Sequence, residues 1–387
     1  MSSITERAAS ATATAIDLRR AIHALPEVGF TEFETTRRIT KVLSDAGIRT
    51  FSREAGVGLV AEVGTSGPLV AFRADIDALP ISEQTGLPFA STVPGVMHAC
   101  GHDAHAAIAV GIALALNGLD IPGRVRFIFQ PGEELFPGGA RQMVAEGCVE
   151  DVAAIVAYHV DPALEVGKIG LKPGAITSSS DRFSITLGGP GGHTARPHET
   201  VDLLYAAGKV LTDLPMALHR TIDARIPVAL VFGRMSAGDA DNVIPTSATL
   251  SGTCRLLDRA TWQQMPDLID QLVGEIVAPT GAKATVDYMR GIPPVVNDAR
   301  VIGDLEVAII GELGRVAVSD TDASMGAEDF ADYLVHVPGA LMRLGVAGDG
   351  PRVALHSARF DIDERALEVG IVAGSAGLIR LLESAGH

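Results

Sequence analysis

Three cysteines in 387 residues, Cys100, Cys148 and Cys254, are too few and odd in number for a disulfide framework, and point to a reducing, cytoplasmic compartment. Aromatic residues are also scarce, at 4%, which weakens the case for a dedicated aromatic pocket without removing it. No apolar run approaches the roughly 18 residues of a spanning helix, so no membrane span is expected. The N-terminal stretch carries an early Glu6–Arg7 pair and no unbroken apolar segment, so no secretory signal is expected either. Lys and Arg form no clustered stripe, and the formal net charge of -16 repels phosphate backbones and anionic headgroups. Neither nucleic acid nor a membrane is therefore an expected partner, whereas a bound divalent cation would be electrostatically welcome.

What is present is the composition of a folded protein, with 47% hydrophobic and 20% charged residues. The length exceeds the roughly 250–300 residues at which single cores stop growing, so two domains are expected. Leu18, Ile22 and Leu25, then Thr36, Ile39, Val42 and Leu43, recur at helical spacing on either side of Pro26–Glu27. Strand-like runs begin at Gly56, Pro68, Arg124 and Ala153, alternating with helical patterns from His105 and Gly138, as in α/β layer architectures. "RAD", "QPGEE" and "AYHV" all fall at the ends of predicted strands, where open α/β sheets place their ligands. From about Ser180 the pattern becomes β-α-β-β-α-β, the order of a ferredoxin-like sandwich. The expected organisation is a larger α/β domain of residues 1–180 and 291–387 interrupted by a smaller inserted domain of residues 181–290.

The chemistry concentrates in "VMHACGHDAH", residues 96–105. Cys100 and His102, two apart before an apolar helix, offer a thiolate and an imidazole, which borderline metals such as zinc accept together. The alternative is a buried apolar cysteine beside loop histidines. Glu133 and Glu134 form an adjacent carboxylate pair that is costly to desolvate unless a cation or proton compensates it; one could ligate while the other moves protons. A solvated turn would need no such division. His159 and His356 each follow short apolar runs, as ligands or as ordinary strand-end histidines. Asp75 or Asp77 could orient a ligand, as histidine ligands usually require, or simply close a turn. His98 and His105 receive no role. Together these side chains number more than one tetrahedral zinc uses, which suggests two ions sharing a ligand.

The segments "HALPEVGFTEFET", "FRADIDALPI", "MHACGHDAH", "FQPGEE", "YHV", "GGHTARPH", "NVIP", "GAEDF" and "LHSARF" run nearly end to end in this order. In this the chain resembles the two-metal amidohydrolases that include hippurate hydrolase, indole-acetyl-amino-acid hydrolases and N-acyl-amino-acid amidohydrolases, relatives of carboxypeptidase G2 and aminoacylase-1. The resemblance implies a zinc-peptidase-like α/β catalytic domain with an inserted ferredoxin-like lid and dimerisation domain. It also implies two divalent ions, zinc foremost with manganese, cobalt or nickel as alternatives. Cys100, His102, Glu134, His159 and His356 would be the ligands, with Cys100 bridging and Glu133 as general base and acid. Asp77 matches the orienting aspartate, although Asp75 stands where the wider clan has a histidine ligand. His193 matches a lid histidine that supports the oxyanion in the partner subunit of a homodimer, and Asn242 and Arg255 match positions around the substrate carboxylate. Many relatives carry a lysine before the lid motif; here Gly189–Pro190–Gly191 stands there.

The implied activity is hydrolysis of N-acyl amino acids to a carboxylic acid and a free amino acid. The same chemistry could act on dipeptides or C-terminal residues, or the fold could serve a non-catalytic, metal-dependent binding protein. A free glutamate beside a ligating one argues against mere binding. A redox role for Cys100 lacks a C-x-x-C partner.

Overall fold

The computed structural model describes residues 3–386, which divide into two compact units. The first comprises residues up to Gly174, Asn297–Asp322 and the chain from Asp329; the second comprises Ala175–Val296 with Ala323–Glu328. The positions 181 and 290 expected from the sequence lie inside the second unit, because the strands Gly174–Thr177 and Val295–Asn297 pair as a ribbon outside the β-α-β-β-α-β core.

An eight-stranded mixed sheet forms the first unit. At its centre Leu69–Asp75 pairs in parallel with Arg124–Gln130 on one side and Val152–Glu165 on the other, and Val152–Glu165 pairs in parallel with Gly339–Ala347. All of Leu69–Asp75 is buried, as expected of a parallel strand covered on both faces. Helices Ile4–His23, His102–Leu116 and Arg365–Ala385 pack against one another. His102–Leu116 is buried at all but one position, and its glycine lets it be approached closely: a Cβ at Gly111 would stand 2.3 Å from Ile371 Cδ1. A helix apolar on every side must sit inside, and this one does.

Two local differences from the sequence expectation bear on the site. The helix starts at His102 instead of His105, so His102 and His105 occupy its first turn. Gly101 makes this possible. It takes the left-handed conformation, φ +80°, and a Cβ there would meet Val160 Cγ2 at 2.5 Å. The strand carrying His159 also continues to Glu165. Its pairing with Leu69–Asp75 stops at Ala157, however, so His159 still emerges just past the edge of the central parallel pair.

In the second unit, strands Ser180–Gly188, Val228–Ala237, Ser247–Leu256 and Lys283–Ile292 form an antiparallel sheet with Ser180–Gly188 and Ser247–Leu256 in the middle. Helices Leu203–Thr221 and Arg259–Val277 cross over between strands, which is the ferredoxin-like topology. Side chains of Ser180–Gly188 alternate between buried and more exposed, and Ile185 and Leu187 enter a separate hydrophobic core with Leu250 and Val273.

Candidate metal centre

Ends of three neighbouring strands and the start of one helix place ligand-type atoms together. Reactive atoms of Cys100, His102 and His159 lie within 4.8 Å of one another, as do those of Cys100, Glu134 and His356. A further group joins His102 with Glu133 and Glu134. Cys100 is thus common to two clusters, and Glu133 adjoins both through His102 and Glu134.

The Nε2 atoms of the imidazoles turn toward other ligand-type atoms or, in His102, lack a hydrogen-bond partner. His102 Nδ1 contacts the Asp77 carbonyl at 2.9 Å and Asp77 Oδ1 at 3.2 Å, while its buried Nε2 has no hydrogen-bond partner. His159 Nδ1 donates to the Val160 carbonyl at 2.8 Å, which turns Nε2 toward Cys100 Sγ, 3.6 Å away. A ring whose Nδ1 proton is held by an oxygen offers its Nε2 lone pair to a cation. His356 Nε2 lies 3.3 Å from Glu134 Oε1. His356 adopts a left-handed backbone, φ +62°, rare outside glycine, and its N–H donates to Ala99 O, tying it beside Cys100.

Burial is the largest influence on the titratable groups of the site. Burial pushes the Cys100 thiol up to about 12, a direction that a divalent cation at the sulfur reverses. Burial, reinforced by Arg343 and His105, holds His159 well below its ordinary value and keeps the ring neutral. Burial acts on His102 in the same sense, but the Asp75 carboxylate and the Asp77 contact outweigh it and hold His102 above its ordinary value. The donor set of one thiolate, imidazoles and carboxylate fits borderline divalent ions.

Behind this layer lies a buried chain of polar contacts. His105 Nδ1 donates to Asp75 Oδ1 at 2.6 Å, and its Nε2 accepts the Val160 N–H at 2.9 Å. The Arg73 guanidinium donates to Asp75 Oδ2 at 2.6 Å, to Asp329 Oδ1 at 2.7 Å and to Gln130 Oε1 at 2.9 Å. On the far side of His102, Asp103 accepts from Arg19 Nε at 3.0 Å and contacts His23 Nδ1 at 2.8 Å. None of Arg73, Gln130, Arg19 and His23 was singled out by sequence reasoning, and His105 was left without a role. The quoted segments "HALPEVGFTEFET", "FRADIDALPI", "FQPGEE" and "GAEDF" contain His23, Arg73, Gln130 and Asp329 and were the available signal; Arg19 lies outside all of them.

His193, Asn242 and Arg255 belong to the second unit. His193 is exposed on the short strand Gly192–His193, which pairs with Val243–Ile244, and the Asn242 carbonyl accepts the Thr194 N–H at 3.2 Å. Arg255 donates to the Met325 carbonyl at 3.0 Å, while the nearby Asp258 caps the helix Arg259–Val277 through the Thr261 N–H at 2.7 Å.

The family profile described as "Peptidase family M20/M25/M40" matches residues 71–376. The N-acetylcysteine deacetylase of Bacillus subtilis (strain 168) is 39% identical over 359 residues, covering 92% of this chain and 93% of that protein. A Rhodococcus jostii (strain RHA1) protein named for a glutamate–cysteine ligase is 44% identical over 358 residues, but the chain spans only 45% of its length. Among solved structures, the Bacillus subtilis YXEP protein, titled a dinuclear metal binding peptidase from the M20 family, superposes with a TM-score of 0.85. It is 35% identical, with 97% of this chain and 99% of that one covered.

Proposed function

The chain belongs to peptidase family M20/M25/M40 and is a metal-dependent amidohydrolase, and from that premise we propose that it hydrolyses N-acyl amino acids at a centre of two divalent ions. The observation that carries the reading is the sharing of Cys100 between the cluster with His102 and His159 and the cluster with Glu134 and His356. Divalent ions held there would supply a water of lowered pKa and a Lewis acid for the amide carbonyl. Glu133, beside both clusters, takes the proton from the attacking water and delivers it to the leaving amine. Asp77 orients His102 through Nδ1 and holds the Glu134 backbone N–H at 2.9 Å.

The second unit supplies recognition in this reading. His193 supports the developing oxyanion, and Arg255 and Asn242 hold the substrate carboxylate, a guanidinium being suited to bidentate pairing. A homodimer through this unit is supported by its uncovered apolar side chains: Leu204, Tyr205 and Met216 on one helix, and Val231 and Met235 on the edge strand Val228–Ala237. Zinc suits thiolate and imidazole best, with manganese, cobalt or nickel admitted by cellular supply. A cytoplasmic location is supported by three free, buried cysteines. Among the described residues no helix is long and apolar enough to cross a membrane.

Activity on a panel of N-acetyl, long-chain acyl, benzoyl and indole-acetyl amino acids, assayed beside dipeptides with each ion restored in turn to stripped protein, tests the function. Release from dipeptides alone would replace the proposed substrate class. Metal binding without turnover of any member would replace catalysis by binding. The bridging role of Cys100 has its own check in metal analysis of Cys100→Ala: bound metal should fall from two equivalents to one or fewer. Two retained ions with full activity would remove Cys100 from the bridge.

A further inference from the structure

Glu133 stands between two backbone N–H groups that each donate to a buried carboxylate. On its C-terminal side the Glu134 N–H donates to Asp77 Oδ2 at 2.9 Å; on its N-terminal side the Gly132 N–H donates to Glu32 Oε1 at 2.8 Å. Asp77 belongs to the site already described. Glu32 comes from the start of a helix 100 residues earlier and has no part in it so far.

Helix geometry does not account for Glu32. It occupies the N-cap position of the helix Phe33–Asp45, yet its side chain makes no capping hydrogen bond. Capping is done by Glu27, whose carboxylate accepts the N–H groups of Glu34 at 3.0 Å and Thr35 at 2.8 Å. Glu32 is fully buried instead, and its second oxygen, Oε2, has no hydrogen-bond partner. Burying a carboxylate in this way is costly. Desolvation, with the Asp77 carboxylate adding to it, pushes Glu32 up to about 7. The Phe30 and Glu32 N–H groups also face this carboxylate from its own stretch of chain, and the Gly132 bond is the one whose other end lies 100 residues away.

That end is a tightly held residue. Gly132 adopts φ +66°, its carbonyl accepts the Gly139 N–H at 3.1 Å, and a Cβ on it would stand 2.7 Å from Phe30 Cζ. The Phe30 ring thus closes over the glycine while Glu32, two residues on, grips its N–H. With Gly132 and Glu134 both fixed, the backbone from which the Glu133 side chain springs has little freedom left.

We propose that Glu32 is a positioning residue for Glu133, fixing the Gly132 peptide so that the proton-shuttling carboxylate starts from one backbone geometry. This rests on the assignment of Glu133 as proton shuttle. A misplacement of about 1 Å can cost roughly a hundredfold in rate. In the metal-loaded protein, Glu32→Ala should therefore lower kcat by roughly ten- to a hundredfold, with KM within about twofold and metal content unchanged. Glu32→Gln, which keeps an acceptor oxygen, should restore kcat to within about threefold.

Amide exchange at Gly132, followed in the intact protein, should accelerate in Glu32→Ala and remain slow in Glu32→Gln. This readout requires no turnover. It therefore still decides the clamp if the wild-type chain hydrolyses nothing, an outcome that would remove the role of Glu133 separately. If Glu32→Ala does not fold, Glu32→Asp withdraws the acceptor by one methylene while keeping the charge, and should show the same fall in kcat at unchanged KM in milder form. Full kcat per folded molecule in Glu32→Ala or Glu32→Asp would overturn the proposal. So would a loss in Glu32→Gln as deep as in Glu32→Ala, or unchanged Gly132 exchange in Glu32→Ala.

Discussion

Glu133→Gln is expected to bind its ions as the wild-type chain does and to lose roughly 10²–10⁴-fold in kcat. Glutamine has the shape of glutamate and keeps an oxygen acceptor, but it cannot take up a proton from water and hand it to an amine. The flanking anchors, Glu32 on the Gly132 N–H and Asp77 on the Glu134 N–H, are unaffected by the change, so the backbone stays in place. The proposed ligand atoms of Cys100, His102, Glu134, His159 and His356 are likewise untouched, and metal analysis of the variant should match the wild-type protein. A kcat near normal in the metal-loaded variant would remove Glu133 from the proton path. A loss accompanied by loss of metal would make Glu133 a ligand instead.

The second large effect is on stability. Arg73 is fully buried, as are both carboxylates it holds, Asp75 and Asp329. Arg73→Ala leaves the two acids facing a void without their cation, and breaking a buried pair in this way costs about 3–5 kcal/mol. That is a large share of the roughly 5–15 kcal/mol by which domains are usually stable. Arg73→Lys should recover only part of the loss, because an ammonium cannot reproduce the fixed fork that reaches Asp75, Asp329 and Gln130 at once. Urea unfolding of the metal-free proteins measures both. A cost under about 1 kcal/mol for Arg73→Ala would show that the acids relax to water or to each other's proton, contrary to the packing described.

Much of the fold was legible because its signals are local. The apolar run after "HACGH" could only be a buried helix, and the alternation in "DRFSITLGG" could only be a half-covered strand. Ligand-type residues were legible too, as polar side chains stranded at the ends of apolar segments. Contacts that join distant segments were not. Nothing around Glu32 in the sequence says that its carboxylate serves Gly132 instead of the helix beginning next to it. Arg73 and Asp329 meet across 256 residues, and no spacing rule connects them. The start of the helix at His102 was missed for a different reason: it depends on the left-handed Gly101 fitting against Val160, a fact of packing.

The arrangement behind His102 also constrains the order in which the protein can be made. Arg19, near the start of the chain, reaches Asp103 and also Asp361 and Glu364, which leave the ribosome hundreds of residues later. His356 and the helix Arg365–Ala385 arrive in the same late stretch. The second unit interrupts the first and holds nearly all of its residues in one continuous segment, so it can close its own core while the first is still incomplete. During synthesis the nascent chain therefore carries Cys100, His102, Glu134 and His159 as an open half-site. Only with the last tenth of the sequence do the fifth ligand-type side chain and the second clamp on Arg19 come into reach.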